Sequence, residues 1–233
     1  ERASPLRTSH MRDPGGPQIH FASESFMDEL ALATNTDAVE FRLKYLSNPR
    51  DVAVVKTVAE KAGWQPHVGP RKQSRGDVYF GQGLAYAVRG GTRVAIIAEV
   101  EVNKKTHRVW VKRYVVAHDC GLVINLDGAK AQIEGNLLQT LSRTLHEEVM
   151  FDRSQVKSND WLSYPIMTFP EVPELLIDIV NRPTEPPLGA GEAAATPVPA
   201  ALANAIFDAT GVRLRTVPMT RERVAQALKK TML

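Results

Sequence analysis

The run Pro186-Pro-Leu-Gly-Ala-Gly-Glu192 sets one carboxylate between a glycine-bearing approach and an alanine-rich stretch, 193–210, that reads as a helix. Glycines at 189 and 191 open backbone angles closed to other residues and let a ligand come close to the main chain. A helix that starts after Glu192 offers unpaired amide donors in its first turn. A carboxylate at that place can serve as a general base, or it can simply complement the helix dipole. The motif alone leaves both readings open.

Other polar residues stand out: Arg12 with Gln18, Asp119 with Asn125, Gln132 within a helical pattern, and Ser158-Asn159. Each has a structural alternative. Asp119 and Asn125 can bracket a tight turn, Ser158-Asn159-Asp160 is an ordinary polar loop by composition, and Gln132 can face solvent. Arg12 can be a surface charge near the terminus, and His118 reads more readily as a satisfied core histidine than as a catalyst. Several chemistries find no support in the residues. The histidines at 10, 20, 67, 107, 118 and 146 lack zinc-site spacing, so no protein-ligated metal is expected. Cys120 is the only cysteine, which rules out an intrachain disulfide or a cysteine-held iron–sulfur cluster in this chain. No Gly-x-Ser-x-Gly elbow supports a serine nucleophile. Gly81-Gln-Gly83 is not followed by the rest of a dinucleotide fingerprint and reads as a strand bulge.

The elements that must position these groups follow from hydrophobic periodicity. Residues 1–18 are polar and rich in Pro and Gly, as in a loop. Apolar positions 22, 26, 27, 30 and 31 predict a helix over about 21–32; Asp37 caps a second that Asn48-Pro49 stops; a third spans about 51–62. Basic, irregular residues 65–77 read as a linker. Strands are predicted over 78–88, 94–102 and 108–117, with a hairpin turn at 103–107, giving an antiparallel sheet. A long helix runs to about 148, another strand covers 175–180, and two helices close the chain at 197–209 and 220–230. The fold class is α+β, with helices packed on a mostly antiparallel sheet. Two segments are expected: 1–64, a loop and helices, and 78–233, an α+β segment carrying Glu192.

Composition agrees with a globular chain of 233 residues, 43% hydrophobic and 24% charged, with a mean hydropathy of −0.22. The net charge of +3 comes from 29 basic and 26 acidic residues without a basic patch, so nucleic-acid binding is not indicated. No apolar stretch approaches the roughly 20 residues that span a bilayer. The first ten residues lack a signal-peptide layout, and the chain starts without Met, as a processed product or a fragment would. Cytoplasmic and periplasmic locations, the latter through a partner's export signal, stay open.

Four blocks stand in order along the chain: Met11-Arg-Asp-Pro-Gly-Gly-Pro-Gln18 with Glu24-Ser-Phe-Met-Asp-Glu-Leu-Ala31; Asp119-Cys-Gly121 to Asn125 with Gln132-Ile-Glu-Gly135; Ser158-Asn159 to Tyr164-Pro165; and Gly189-Ala-Gly-Glu192 with Ala203-Asn-Ala-Ile206 and Ala209-Thr-Gly211. In this order they resemble the molybdenum hydroxylases, the xanthine dehydrogenase and aldehyde oxidase family, in the C-terminal half of the molybdopterin-binding subunit. The resemblance implies that Glu192 is the catalytic base and that Gln132, Ser158, Asn159 and Gly191 bind cofactor. It implies that Arg12 orients substrate. Partial burial beside an apolar pocket is expected to bring the pKa of that base near the working pH. The implied cofactor is molybdopterin, as its cytosine dinucleotide, with molybdenum. The implied partners are a chain with the N-terminal molybdopterin half, a [2Fe-2S] subunit and, as a further candidate, a flavin or cytochrome c subunit, so this chain alone is not expected to catalyse. Residues 139–149 and Ser163-Tyr-Pro165 are most similar to the branch that hydroxylates N-heteroaromatics such as nicotinate or isoquinoline, with water as the oxygen source. Aldehyde oxidation by the same chemistry, or a non-catalytic scaffold subunit, are the alternatives. Asp13 and Pro14 depart from the family's usual aromatic or small residues, and Thr140 stands where many relatives have Gly.

Overall fold

A computed structural model describes residues 9–230; residues 1–8 of the loop expected over 1–18 lie outside them. Five strands form one sheet in sequence order, β1 (Gln73–Arg75), β2 (Val78–Arg89), β3 (Thr92–Asn103), β4 (Val109–Asp119) and β5 (Glu174–Ile179). The first four run antiparallel and β5 lies parallel to β4. A parallel neighbour requires a crossover, supplied here by a connection that contains α4 (Leu126–Leu145). The expected fold class, helices on a mostly antiparallel sheet, is the one observed.

Alternation along the strands feeds two cores. On one face Val94, Ile96, Ala98 and Val100 of β3 join residues of α4 and of α5 (Val198–Thr210); on the other Ala95 and Ile97 meet Val54, Val55 and Val58 of α3 (Pro49–Ala62). In β4 the parity changes at a bulge: Glu99 pairs with Arg113 and Val100 with Val111, so Lys112 is the extra residue. The bulge therefore lies here and not at Gly81-Gln-Gly83, where β2 keeps register with β3 throughout. Those two glycines serve packing instead. An ideal Cβ on Gly83 would come 2.0 Å from Ala205 N, and one on Gly81 2.3 Å from Ala205 O, so α5 rests directly on the backbone of β2. Every residue of α5 except Thr210 is buried.

The first three helices form for local reasons. In α1 (Gly16–Ala33), Gly15 takes the left-handed conformation at the N-cap and Pro17 follows in the first turn. Asp37 caps α2 (Ala38–Tyr45) by accepting from Val39 N and Glu40 N. Asn48-Pro49 does not stop α2, which ends three residues earlier, but opens α3 as N-cap and first residue. The segment expected as a plain linker contains the short edge strand β1. It is pinned by Asp208 of α5, which accepts from the Arg71 backbone and side chain and from His67 Nε2. The long helix ends at Leu145, and the last, α6 (Arg221–Lys230), starts after Thr220. Among the described residues no helix is long and apolar enough to cross a membrane.

Candidate functional site

The loop that carries Glu192 is held carbonyl by carbonyl. Gly189 O accepts from Thr92 Oγ1 of β3 at 2.8 Å, Ala190 O from Asn136 Nδ2 of α4 at 3.2 Å, and Gly191 O from Arg12 Nε at 2.6 Å. Behind it, Gly121 at φ +75° leaves no space for a side chain, because a Cβ would come 2.1 Å from Pro186 O. Gly189 and Gly191 differ from that glycine: neither has positive φ, and a Cβ at either would meet nothing within 4 Å. The expected unusual backbone angles are therefore absent, and the chain's own packing gives no reason for glycine at these places. The bare face of the loop is open to a group from outside.

Arg12 is the hub. Its Nη2 donates to Gln132 Oε1 at 2.6 Å and to Gln132 O at 3.2 Å, and its Nη1 donates to Gln139 Oε1 at 3.2 Å. Gln132, Gly135, Gln139 and Arg143 recur on one face of α4 at helical spacing. A Cβ on Gly135 would lie 2.8 Å from Arg12 Nη1, so the glycine makes room for the guanidinium. Arg143 Nη1 donates to Arg12 O at 3.0 Å, fixing the segment from below. Burial, then the nearby Arg143 charge, draw the Arg12 pKa down, although it stays a cation. Four of its five N–H groups are already used. The amide Nε2 groups of Gln132 and Gln139 donate to no acceptor among the described residues, so two fixed, exposed amides stand ready for a polar ligand. An open cavity of about 540 Å³ adjoins the hub through Met11, Thr140 and Arg143, with Phe21 and Tyr164 among its walls.

Glu192 lies beside this hub with its side chain 40% exposed. Its Oε2 accepts from Asp13 N at 2.9 Å and its Oε1 from Arg89 Nη2 at 2.9 Å. The Asp13 amide, then Arg89, hold its pKa below the ordinary glutamate value, which reverses the expectation that burial raises it. Glu192 is thus an ionised carboxylate at neutral pH, with acceptor sites to spare on its exposed side. The expected helix over 193–210 opens here as a 3-10 turn, Ala193–Ala195, before α5, and Glu192 makes no side-chain cap.

Arg12, Gln132, Gly191 and Glu192 come together; Ser158 and Asn159 are not tied to them by any hydrogen bond among the described residues. They belong to a separate loop, in which Ser158 Oγ donates to Glu148 O and accepts from Met150 N, and Asn159 N donates to Ser163 Oγ. Asn159 is exposed. Asp119 is part of a buried ion cluster with Arg50 and Arg182 at the end of β4, while Asn125 caps α4. His118 is buried, and neither ring nitrogen has a partner among the described residues, so it is a core histidine but not a satisfied one. Burial pushes its pKa down to about 4 and it is neutral. Sequence reasoning missed Gln139, Arg143, Asp13 and Arg89. The first two carried a signal, seven and eleven residues after Gln132 on the same helix face; Arg89 carried none.

Residues 22–173 match a family model described as a molybdopterin cofactor-binding domain. The chain is 47% identical over 232 residues to a nicotinate dehydrogenase subunit of Pseudomonas putida, covering 96% of this chain and 20% of that protein. It is 34% identical over 218 residues to the beta subunit of isoquinoline 1-oxidoreductase from Brevundimonas diminuta, covering 93% of this chain and 27% of the relative. The solved aldehyde oxidoreductase of Desulfovibrio gigas superimposes with a TM-score of 0.80 at 19% identity, over 96% of this chain and 42% of that one, a likeness of fold. The chain spans between a fifth and about a quarter of the length of the two curated relatives.

Proposed function

The chain belongs to the molybdopterin cofactor-binding domain family, and from that premise we propose that it is the part of a molybdenum hydroxylase that presents the proton-accepting glutamate to the reacting centre. The observation that carries this reading is Glu192, ionised, half-exposed and held at both oxygens beside the hub formed by Arg12, Gln132 and Gly191. The donor set fits the cofactor. Gln132 offers an amide whose oxygen Arg12 has fixed, leaving N–H groups for a pterin edge, and Gly191 lets a bulky group approach the main chain. Asn159 offers a further exposed amide; Ser158 holds its loop by internal bonds and stands next to it. Molybdopterin with its molybdenum, when bound, supplies the acceptor for two electrons. Glu192 takes the proton from the attacking water-derived oxygen, and Arg12 keeps one N–H to orient the substrate.

The substrate on this reading is an electron-poor N-heteroaromatic of the nicotinate or isoquinoline type, supported by the names of the two curated relatives. The partners are a chain or segment with the N-terminal molybdopterin half and a [2Fe-2S] subunit that takes the electrons. The cofactor is the cytosine dinucleotide form. The test is isotopic. Assembled with its partners and supplied with an N-heteroaromatic in heavy-oxygen water, the enzyme should carry molybdenum and place the label in the hydroxylated product. An assembly that forms without molybdenum would overturn the reading in favour of a scaffold.

A further inference from the structure

The carboxylate of Glu192 is gripped from two sides by a pair that belongs to neither the hub nor the loop. Asp13 adopts φ +56°, a left-handed conformation uncommon outside glycine although tolerated by Asp. That turn aims its N–H at Glu192 Oε2 and sends its own carboxylate inwards, where the side chain is fully buried. There Thr196 Oγ1 donates to Asp13 Oδ2 at 2.6 Å and Arg89 Nε pairs with Asp13 Oδ1 at 3.1 Å. The space is shaped for it: a Cβ on Gly16 would lie 2.3 Å from both Asp13 oxygens. Arg89, at the end of β2, then turns Nη2 to Glu192 Oε1 at 2.9 Å. One guanidinium therefore bridges a buried carboxylate and an exposed one. A buried carboxylate costs desolvation unless it is paired and hydrogen-bonded, and an apolar residue would fill the space without that cost.

We propose that Asp13 and Arg89 are positioning residues that fix the orientation of Glu192 and set its readiness to accept a proton, Arg89 by attraction and Asp13 by neutralising Arg89. The inference rests on the reading of Glu192 as the base. Its signature is opposite signs. Without Arg89, Glu192 loses its cationic neighbour and becomes a stronger base; without the Asp13 charge, the whole of Arg89 acts on Glu192 and the base weakens. Arg12 and Arg143, the other charged groups around the site, are untouched by either change. A role in packing alone gives no reason for opposite shifts.

The experiment uses the assembled, cofactor-loaded enzyme carrying Arg89→Gln, Arg89→Lys or Asp13→Asn, and records kcat/KM against pH. Arg89→Gln is expected to move the acid limb up by about one pH unit, the lower end of a neighbouring-charge effect because Arg89 is partly exposed. Asp13→Asn is expected to move it down, and Arg89→Lys to restore most of the parent position. A parallel infrared titration of the metal-free protein, differenced against Glu192→Gln, follows the same carboxylate without turnover. An acid limb that stays fixed in Arg89→Gln, or shifts in the same direction in both variants, overturns the proposal. Arg89→Gln leaves the buried Asp13 carboxylate without its cation, so the double variant Asp13→Asn/Arg89→Gln, which removes both charges, decides if the single Arg89 variant does not fold: its acid limb should lie above that of Asp13→Asn, and an equal one overturns the proposal. Should Glu192→Gln retain full turnover, the catalytic reading fails, and the infrared titration still reports whether the pair governs Glu192.

Discussion

Replacing Gly83 by Ala tests how the helix that follows the Glu192 loop is held in place. An added Cβ would lie 2.0 Å from Ala205 N, 2.4 Å from Ala201 O and 2.6 Å from the carbonyl carbon of Asn204. All three are backbone atoms of α5, so no rotamer change relieves the clash. Reaching 3.0 Å, below which real Cβ contacts essentially do not occur, requires α5 to retreat by about 1 Å. A radial gap of that size forfeits about a quarter to a half of the dispersion energy at each lost contact, and overpacked cores lose about 1–3 kcal/mol. With backbone on the far side, a loss of about 3 kcal/mol is expected. For a chain of this size that lowers Tm by about 6–12 °C. Thermal unfolding followed by circular dichroism measures it, with Gly189→Ala and Gly191→Ala as controls. Those two sites have open space and no left-handed backbone, so each should stay within about 0.5 kcal/mol of the parent. A Gly83→Ala melt within about 2 °C of the parent, or control variants that fall as far, would refute the reasoning.

Three further outcomes follow from the same contacts. Gly135→Ala forces its methyl against Arg12 Nη1, and in the assembled enzyme it should lower molybdenum content while Gly128→Ala, next to the α4 cap on the same helix, should not; cofactor analysis of both reads the difference. Glu24 of α1 forms a buried pair with Arg42 of α2 and accepts from Tyr86 N, so Glu24→Ala should cost about 3–5 kcal/mol in denaturant titration. Asp208 is buried, which raises its pKa, but His67, Arg71 and two backbone amides outweigh burial and hold it at about 2, against 3.8 for a free Asp. A depressed carboxylate contributes stability that is present above the unfolded value and lost as pH falls through the folded one. Asp208→Asn should therefore cost about 2 kcal/mol at neutral pH and little at pH values near 2. His67, raised chiefly by its bond to Asp208, adds stability below its unfolded value of 6.5 that fades as pH rises through the folded value. The variant should flatten that decline too.

Much of the fold was legible because local chemistry and periodicity agreed. Asp37 announced α2, the β-rich runs on either side of short turns became the hairpin strands, and the alanine-rich run became α5. Other features depended on partners distant in sequence. Gln73–Arg75 is three exposed polar residues and becomes β1 only through its pairing with β2. The glycines at 81 and 83 looked like a bulge because nothing near them in sequence reveals a helix packed on their bare faces. Residues 175–180 read as a strand, observed one residue earlier as β5 (Glu174–Ile179), but its parallel pairing with β4 depends on the crossover. In the site, the resemblance supplied Arg12, Gln132, Gly191 and Glu192, whereas the Arg89 bridge spans 103 positions to Glu192 and depends on a left-handed turn at Asp13. The expected pKa of Glu192 was reversed for the same reason, since its donors arrive from β2 and from the segment before α1.

The most direct measurement is turnover of the assembled enzyme carrying Glu192→Gln at molybdenum content equal to the parent. The amide keeps the shape of the side chain and removes its basicity, so kcat should fall roughly a hundred- to ten-thousand-fold while metal content is preserved. Full turnover at full loading would contradict the assignment of Glu192 as the base.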